Sequence, residues 1–72
     1  MRKNNKLKIK INGKNRLINR KTTLKTVLTS LKLPLNKIAI ELNEKIIDKK
    51  KIHNIELNNK DKIEIVHFIG GG

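Results

Sequence analysis

Side chains that could act as nucleophiles, proton carriers or metal ligands are few in this 72-residue chain. His53 and His67 are the only histidines, Ser30 is the only serine, and cysteine is absent. A zinc site needs several ligands at short spacing, and a nucleophilic serine needs a strained turn and a base, so neither pattern is present. The carboxylates stand among lysines, as solvated charges do. These residues predict a protein that is not itself an enzyme.

The chain finishes in IEIVHFIGGG, an apolar segment that runs directly into three glycines. The apolar residues predict a buried strand, and we expect 70–72 to form a flexible arm because glycine loses the most backbone freedom on folding. Its one reactive group is the α-carboxylate of Gly72, and no Cβ on Gly70 or Gly71 obstructs entry into a narrow active site. A frayed end or a cloning remnant is the alternative, but the abrupt change from strand to pure glycine favours a function.

The elements that must position this arm begin with a hairpin. Apolar and basic residues alternate from Leu7 to Ile11, which predicts a first strand with one apolar face. Asn12 and Gly13 follow, and this pair is typical of a two-residue turn because both residues tolerate positive φ. A second strand is expected over 16–19.

One amphipathic helix is predicted next. Thr22 or Thr23 is the expected N-cap, and apolar residues follow at i, i+3, i+4 and i+7, namely Leu24, Val27, Leu28 and Leu31. We expect the helix to end near Lys32, because Pro34 restricts the residue before it and cannot continue the hydrogen-bond ladder.

Three strands are expected after the proline: Ile38–Leu42, a short pair at Ile46 and Ile47, and Lys62–Phe68. Between the last two, a polar connector is expected to tuck Ile52, Ile55 and Leu57 under the sheet. The order β-β-α-β-β-β predicts a single α+β domain over 1–72, with a mixed four- or five-stranded sheet and one helix on one face. This architecture is the β-grasp of ubiquitin.

The formal net charge of +12 could attract nucleic acid or acidic partners. However, lysine, asparagine and isoleucine fill 37 of the 72 positions, and A/T-rich coding produces the same excess. The lysines are scattered, and one aromatic residue, Phe68, is too few for a base-stacking platform. Nucleic-acid binding is therefore not expected. No apolar run approaches the roughly 18 residues of a membrane span, so we expect a cytoplasmic protein, or a plastid stromal one.

From Ile38 onward the chain resembles the sulfur carrier proteins of thiamine biosynthesis, which are short β-grasp domains ending in Gly-Gly. The resemblance is carried by IAIELNEKIIDKKKIHNIELNNKDKIEIVHFIGGG, and its last ten residues are the most similar part. The first half matches the family in the order of its elements and hardly in identity.

The resemblance implies a chemistry and a set of partners. In that family an E1-like adenylyltransferase uses ATP to adenylate the terminal glycine, and the adenylate is converted to a thiocarboxylate. A cysteine desulfurase or another donor supplies the sulfur indirectly, and thiazole synthase uses it to build the thiazole ring of thiamine. The carrier itself binds no cofactor, because the activating enzyme uses the ATP. The residues carried over are Gly72 as the adenylation and thiocarboxylate site, Gly70 and Gly71 for threading the tail, and His67, Phe68 and Ile69 as partner contacts.

One departure from the family lies in the turn before the last strand. Family members often carry Asp-Gly-Asp there, whereas this chain has Asn59-Lys60-Asp61, so Lys60 stands where the glycine would be. We expect Asn59 to take the left-handed conformation instead, because asparagine tolerates it.

Three alternatives stay open. The small subunit of molybdopterin synthase shares the fold, the Gly-Gly end and the thiocarboxylate, but it is usually longer and has a proline before the glycines that VHFIGGG lacks. A ubiquitin-type modifier would form isopeptide bonds to lysines of target proteins. A basic RNA-binding module would show a steep salt dependence of binding.

The charge yields a first prediction. If the excess of lysine reflects coding bias, RNA binding should be weak, indifferent to sequence and lost at physiological salt, because only counterion release drives it. Fluorescence anisotropy with two unrelated RNAs at low and physiological salt measures this. Tight, sequence-selective binding at physiological salt would contradict the prediction.

Overall fold

The computed structural model describes residues 6–68. Its strands and helix are β1 (Lys6–Ile11), β2 (Lys14–Asn19), α1 (Leu24–Ser30), β3 (Ile38–Leu42), β4 (Lys45–Ile46) and β5 (Lys62–His67). Two 3-10 helices connect them, at Leu35–Lys37 and Lys49–Asn54. None of the helices between residues 6 and 68 is long and apolar enough to cross a membrane.

The five strands form one mixed sheet in the order β2-β1-β5-β3-β4. β1 is antiparallel to β2 and parallel to β5, while β3 is antiparallel to both β5 and β4. The helix α1 contributes buried side chains to one face of the sheet. This confirms the predicted β-grasp fold with five strands.

Two tight turns set the registers of the outer strands. Asn12 and Gly13 have φ values of 50° and 84°, and Asn43 and Glu44 have φ values of 52° and 72°. Two consecutive positive φ values are typical of the type I′ turn, whose twist matches that of the strands it joins. The second turn pairs Leu42 with Lys45, so β4 lies one residue earlier than the predicted pair at 46–47.

The helix begins as predicted and ends earlier. The Thr23 side chain caps α1 by accepting a hydrogen bond from the backbone of Thr26, at 3.2 Å. The last helical residue is Ser30, because Lys32 turns to a left-handed φ of 59° and donates its backbone N–H to Thr29. The helix therefore ends through a left-handed residue two positions before Pro34.

The core lies between α1 and the sheet, with the connector closing one side. Its buried apolar residues are Ile9, Ile18, Leu24, Val27, Leu28, Ile38, Ile40, Ile52, Leu57 and Ile63. Ile52 and Leu57 of the connector are buried as predicted, and Ile55 is half-buried against them. The connector itself contains the Lys49–Asn54 3-10 helix, which its polar composition concealed.

The prediction that the last strand is buried is wrong for its second half. Ile63 is fully buried and Ile65 is half-buried, whereas Val66 and Phe68 are 58% and 48% exposed. Successive residues of a strand point to opposite faces, so Val66 lies on the face opposite Ile63 and Ile65, and α1 does not cover that face.

The turn before β5 also differs from its prediction. Lys60, with φ 73°, takes the left-handed conformation expected for Asn59. Asp61 donates its backbone N–H to Asn58, and a type II turn over these four residues requires positive φ at its third position, which is Lys60. The Asn59 side chain instead accepts a hydrogen bond from the backbone of Lys8, at 2.9 Å.

A second prediction tests the core. Val27 is 3% exposed on the inner face of α1, so Val27→Asp would bury an unpaired charge and cost several kcal/mol of a stability near 5 kcal/mol. We expect circular dichroism to show a largely unfolded protein. Lys25→Asp is the matched control, because it places the same side chain on the exposed first turn of α1 and should melt like the parent. Equal melting of all three proteins would contradict the inward orientation of Val27.

Candidate functional site

The candidate site is the end of β5, where the central strand of the sheet leads into the glycines. β5 pairs with β1 on one side, through Lys10–Lys62 and Ile11–Ile63, and with β3 on the other. The pairing with β3 runs the length of the strand and ends with Ile38 opposite His67. A strand held on both sides is a rigid base for whatever follows it.

Asn12 extends the support of β5 beyond the end of β1. The chain turns away at Asn12, yet the Asn12 side chain accepts a hydrogen bond from Ile65 N–H at 2.7 Å and donates one to the Ile65 carbonyl at 3.3 Å. The side-chain amide thus takes the place of the next backbone unit of β1. The asparagine of the hairpin turn therefore has a second role that its turn propensity did not indicate.

Phe68 is the last residue that the structure describes, and it is held on the β3 side. Its backbone N–H donates to the Lys37 carbonyl at 2.7 Å. The Lys49 ammonium lies 6.0 Å from the centre of the Phe68 ring and donates 2.8 Å hydrogen bonds to the carbonyls of Leu35 and Ile38. The 6.0 Å separation between the Lys49 ammonium and the Phe68 ring is at the outer limit of a cation–π contact. The ring remains about half exposed, so it is available to a partner.

The other predicted site residues divide between the described and undescribed parts of the chain. His67 is exposed and borders a half-open concavity of about 560 Å³, whose apolar lining includes Leu31, Leu33, Ile38 and Ile65. Ile69, Gly70, Gly71 and Gly72 lie outside the described residues. The structure thus places His67 and Phe68 on consecutive positions at the exit of β5.

Side chains elsewhere in the described part do not assemble a metal site. No group of three or more histidine and carboxylate side chains comes together between residues 6 and 68. The Ser30 hydroxyl donates to the Val27 carbonyl at 2.7 Å, which is ordinary bonding within a helix. Asp61 is 7% exposed and accepts hydrogen bonds from Asn43 Nδ2 and Asn58 N–H, so it organises the turn before β5.

An apolar surface that the sequence analysis missed lies beside the exit. Val66 and its cross-strand neighbour Ala39 are on the sheet face away from α1, and Ile46 of β4 lies on the same face and is 81% exposed. We call Ala39, Ile46 and Val66 the apolar face. The alternation in β5 could have indicated it, because Val66 stands out of phase with the buried residues Ile63 and Ile65.

A third prediction concerns Asn12. Asn12→Gly keeps a residue that tolerates positive φ but removes both hydrogen bonds to Ile65, so we expect a loss of about 1 kcal/mol and faster amide exchange at Ile65 than at other residues of β5. Asn12→Asp is the control, since it retains an acceptor for the Ile65 N–H and should keep more protection there. Unchanged exchange at Ile65 in Asn12→Gly would show that the amide does not support the strand.

Comparison with known proteins gives a family match over most of the chain. A family model described as the ThiS family matches residues 9–72. The sulfur carrier protein ThiS of Bacillus subtilis (strain 168) is 57% identical over 30 residues, which cover 42% of this chain and 46% of that protein. The matched stretch therefore spans less than half of that relative.

Solved structures agree with the fold. The crystal structure of the thiamine biosynthesis protein (ThiS) from Geobacter metallireducens has a TM-score of 0.79, covers 92% of this chain and 100% of its own, and is 22% identical. The solution structure of a thiamine biosynthesis protein from the same organism has a TM-score of 0.70 at the same identity and covers 92% and 88%. This likeness shows the shared β-grasp architecture. Because the family model runs from β1 through the three glycines, the chain belongs to the ThiS family.

Proposed function

We propose that this chain is a sulfur carrier whose terminal glycine is converted to a thiocarboxylate that supplies sulfur for the thiazole ring of thiamine. The observation that carries the proposal is the junction at the end of β5: a strand paired on both sides leads, within the family match, into three consecutive glycines. The sheet holds the base of the tail, and the glycines offer a carboxylate without obstructing side chains.

The proposed chemistry needs an activating enzyme because a carboxylate is a poor electrophile. An oxygen of the Gly72 carboxylate attacks the α-phosphorus of ATP, and pyrophosphate leaves. A hydrosulfide ion then attacks the acyl carbon of the adenylate, or a persulfide attacks it and a thiol afterwards cleaves the S–S bond to form a disulfide, and AMP leaves with one of the original carboxylate oxygens. The net result is the exchange of one terminal oxygen for sulfur. This chain is the substrate of these steps, and the ATP is bound by the enzyme.

The distribution of glycine supports a role for the tail. Between residues 6 and 68, six residues other than glycine have positive φ, where glycine costs least: Asn12, Lys21, Lys32, Asn43, Glu44 and Lys60. The chain has four glycines in all, and three of them are Gly70, Gly71 and Gly72. Even at positions with left-handed φ, this chain has mostly lysine and asparagine instead of glycine. Its general composition therefore does not account for three consecutive glycines. A requirement for slender residues at the tail explains it.

Partners of the proposed carrier would contact the surface around the exit. His67 and Phe68 are exposed there, with Ile69 next in the chain, and the apolar face lies beside them. We propose that an E1-like adenylyltransferase and thiazole synthase each engage this surface, with a cysteine desulfurase or another donor supplying sulfur indirectly. The aromatic ring and the exposed aliphatic side chains supply the apolar contact area on which protein interfaces depend.

The ThiS-family match favours thiamine over molybdopterin as the destination of the sulfur. A molybdopterin carrier and a ubiquitin-type modifier would use the same adenylated glycine, so the fold does not separate these functions. The fate of the activated glycine separates them. A thiamine carrier gives a thiocarboxylate that thiazole synthase consumes, a molybdopterin carrier gives one that is consumed in molybdopterin synthesis, and a modifier forms an isopeptide bond to a lysine.

A fourth prediction tests the carrier function. Incubation with the cognate activating enzyme, ATP and a sulfur donor should replace one oxygen of Gly72 by sulfur, which intact-mass spectrometry detects. Deleting Gly72 shortens the tail, and Gly71→Val places a branched Cβ where the tail must enter a narrow channel, so both should abolish the exchange. Thermal melts of both variants should overlay the parent, since the changes lie beyond β5 and leave the buried core intact.

The control for this experiment is Gly13→Asn. An added Cβ at Gly13 meets open space, and asparagine tolerates its φ of 84°, so this variant should accept sulfur like the parent. Normal thiocarboxylation of the chain lacking Gly72, or sulfur on a side chain, would contradict the proposal. Rescue of a thiamine auxotroph by the parent, and not by the deletion variant, assigns the sulfur to thiazole synthesis.

A further inference from the structure

Four lysines meet on the sheet face away from α1, at the opposite end of β5 from the glycines. They are Lys8 and Lys10 of β1, Lys60 of the preceding turn and Lys62 of β5, and we call them the lysine patch. All four are exposed, and together they border a shallow concavity of about 280 Å³ that Asn15 also lines. These lysines are scattered along the sequence, so their cluster is a product of the fold.

The backbone holds the patch together. Lys10 is the direct partner of Lys62 in the parallel pairing of β1 with β5. The backbone N–H of Lys60 donates to the Lys8 carbonyl at 2.7 Å, and the Asn59 side chain accepts from Lys8 N–H at 2.9 Å. The four side chains therefore start from a rigid frame.

This arrangement is unfavourable in the isolated protein. Like charges opposite each other on neighbouring strands destabilise a sheet, and no carboxylate is among the described residues that line the concavity. The patch has one ion pair in the described part, Lys62 with Glu44 at 3.7 Å, and both side chains are well exposed. Such a pair contributes little. Coding bias accounts for many lysines, but the repulsion concentrated here would be relieved by an anionic partner.

We propose that the lysine patch docks an acidic surface of the enzyme that activates the C-terminal glycine; this inference rests on the proposed function. Lys62 begins β5 and His67 ends it, so the patch and the exit lie about 17 Å apart at 3.3 Å per residue. A bound small anion would not reach the tail, whereas a protein that receives the tail spans this distance.

The composition of the sheet face favours a protein over a nucleic acid. Lys62, Glu64 and Val66 project from the same face of β5, so the lysine patch and the apolar face lie on one sheet face, with Glu64 and its cross-strand partner Glu41 between them. Charged residues around an apolar centre are typical of protein interfaces. The one aromatic residue of the chain, Phe68, lies at the far end beside the exit, so the patch has no ring on which a base could stack.

Docking of this kind acts mainly on the rate of encounter. Complementary charges steer two proteins together and raise the association rate constant, and salt removes the effect because charges beyond about 8 Å are screened at physiological ionic strength. The chemical step at the glycine would be unaffected once the complex has formed. The patch is thus a positioning surface, and variants should separate binding from turnover.

The fifth prediction compares two double variants of equal charge. Lys8→Glu/Lys10→Glu alters the patch, and Lys25→Glu/Lys51→Glu alters exposed lysines of α1 and the Lys49–Asn54 3-10 helix. Each lysine-to-glutamate change lowers the charge by two, so both variants carry +8 instead of +12. Surface plasmon resonance with the activating enzyme at about 0.05 M and 0.3 M salt gives the association rate constants.

We expect the patch variant to associate about tenfold more slowly than the parent at low salt and within about twofold at high salt, while the control stays within about twofold at both. ATP–pyrophosphate exchange should show a raised KM for the patch variant with unchanged kcat. Circular dichroism melts of both variants verify that they fold.

Equal association rates for the parent and the patch variant, or equal slowing of both variants, would overturn the proposal. Loss of binding to a single-stranded RNA in the patch variant, with enzyme association unchanged, would also overturn it and assign the patch to nucleic acid. An enzyme that binds the parent without exchanging pyrophosphate would contradict the proposed function, and the association rates would still decide the role of the patch.

Discussion

The structure depends on the position of β5 in the middle of the sheet. Ile63 of this strand is completely buried, and its backbone neighbours are Ile11 of β1 and Leu42 of β3. The last described strand therefore joins the N-terminal hairpin to the β3–β4 hairpin, and α1 covers the apolar surface that the three parts create. Without β5, neither hairpin could bury its apolar face, because a two-stranded unit is marginally stable in water.

A chain of this size has a small core, and polar side chains complete what the short elements leave unfinished. Asn12 extends the pairing of β5 after β1 has turned away, and Asn59 pairs with the backbone of Lys8. Asp61, almost fully buried, accepts from Asn58 and Asn43, while Asn43 also accepts from the backbone of Lys62. In the described part of the chain, every buried side-chain nitrogen or oxygen has a partner. These bonds anchor both ends of β5 and thus the base of the tail.

Under the proposed function, the folded sheet positions the chain and the C-terminal glycine reacts. The tail follows the end of the central strand β5, the apolar face lies beside that exit, and the lysine patch lies at the other end of the same strand. A partner enzyme that contacts the exit of β5, the apolar face and the lysine patch would bind the folded domain, while the reaction takes place at Gly72. Under the proposed function the partner enzyme would supply the catalytic groups, which would account for the scarcity of such side chains in this chain.

Local sequence determined much of this protein. Alternation from Leu7 to Ile11 determined β1, the Asn12–Gly13 pair determined its turn, and Thr23 with the spacing of Leu24, Val27 and Leu28 determined α1. Each of these signals acts over a few residues, through φ preference, capping or side-chain period, so it can be read without the fold. The glycine triplet is equally local, because slenderness belongs to the residue itself.

Tertiary structure decided what depends on distant partners. The left-handed φ of Lys60 follows from its position in a turn whose central residues, Asn59 and Lys60, bond to Lys8, and the exposure of Val66 follows from its place on the sheet face that α1 does not cover. The lysine patch arises because β1 and β5, separated by about fifty residues, lie side by side in parallel register. Propensity and periodicity act between near neighbours in sequence, whereas burial and charge clustering depend on which strands the core brings together.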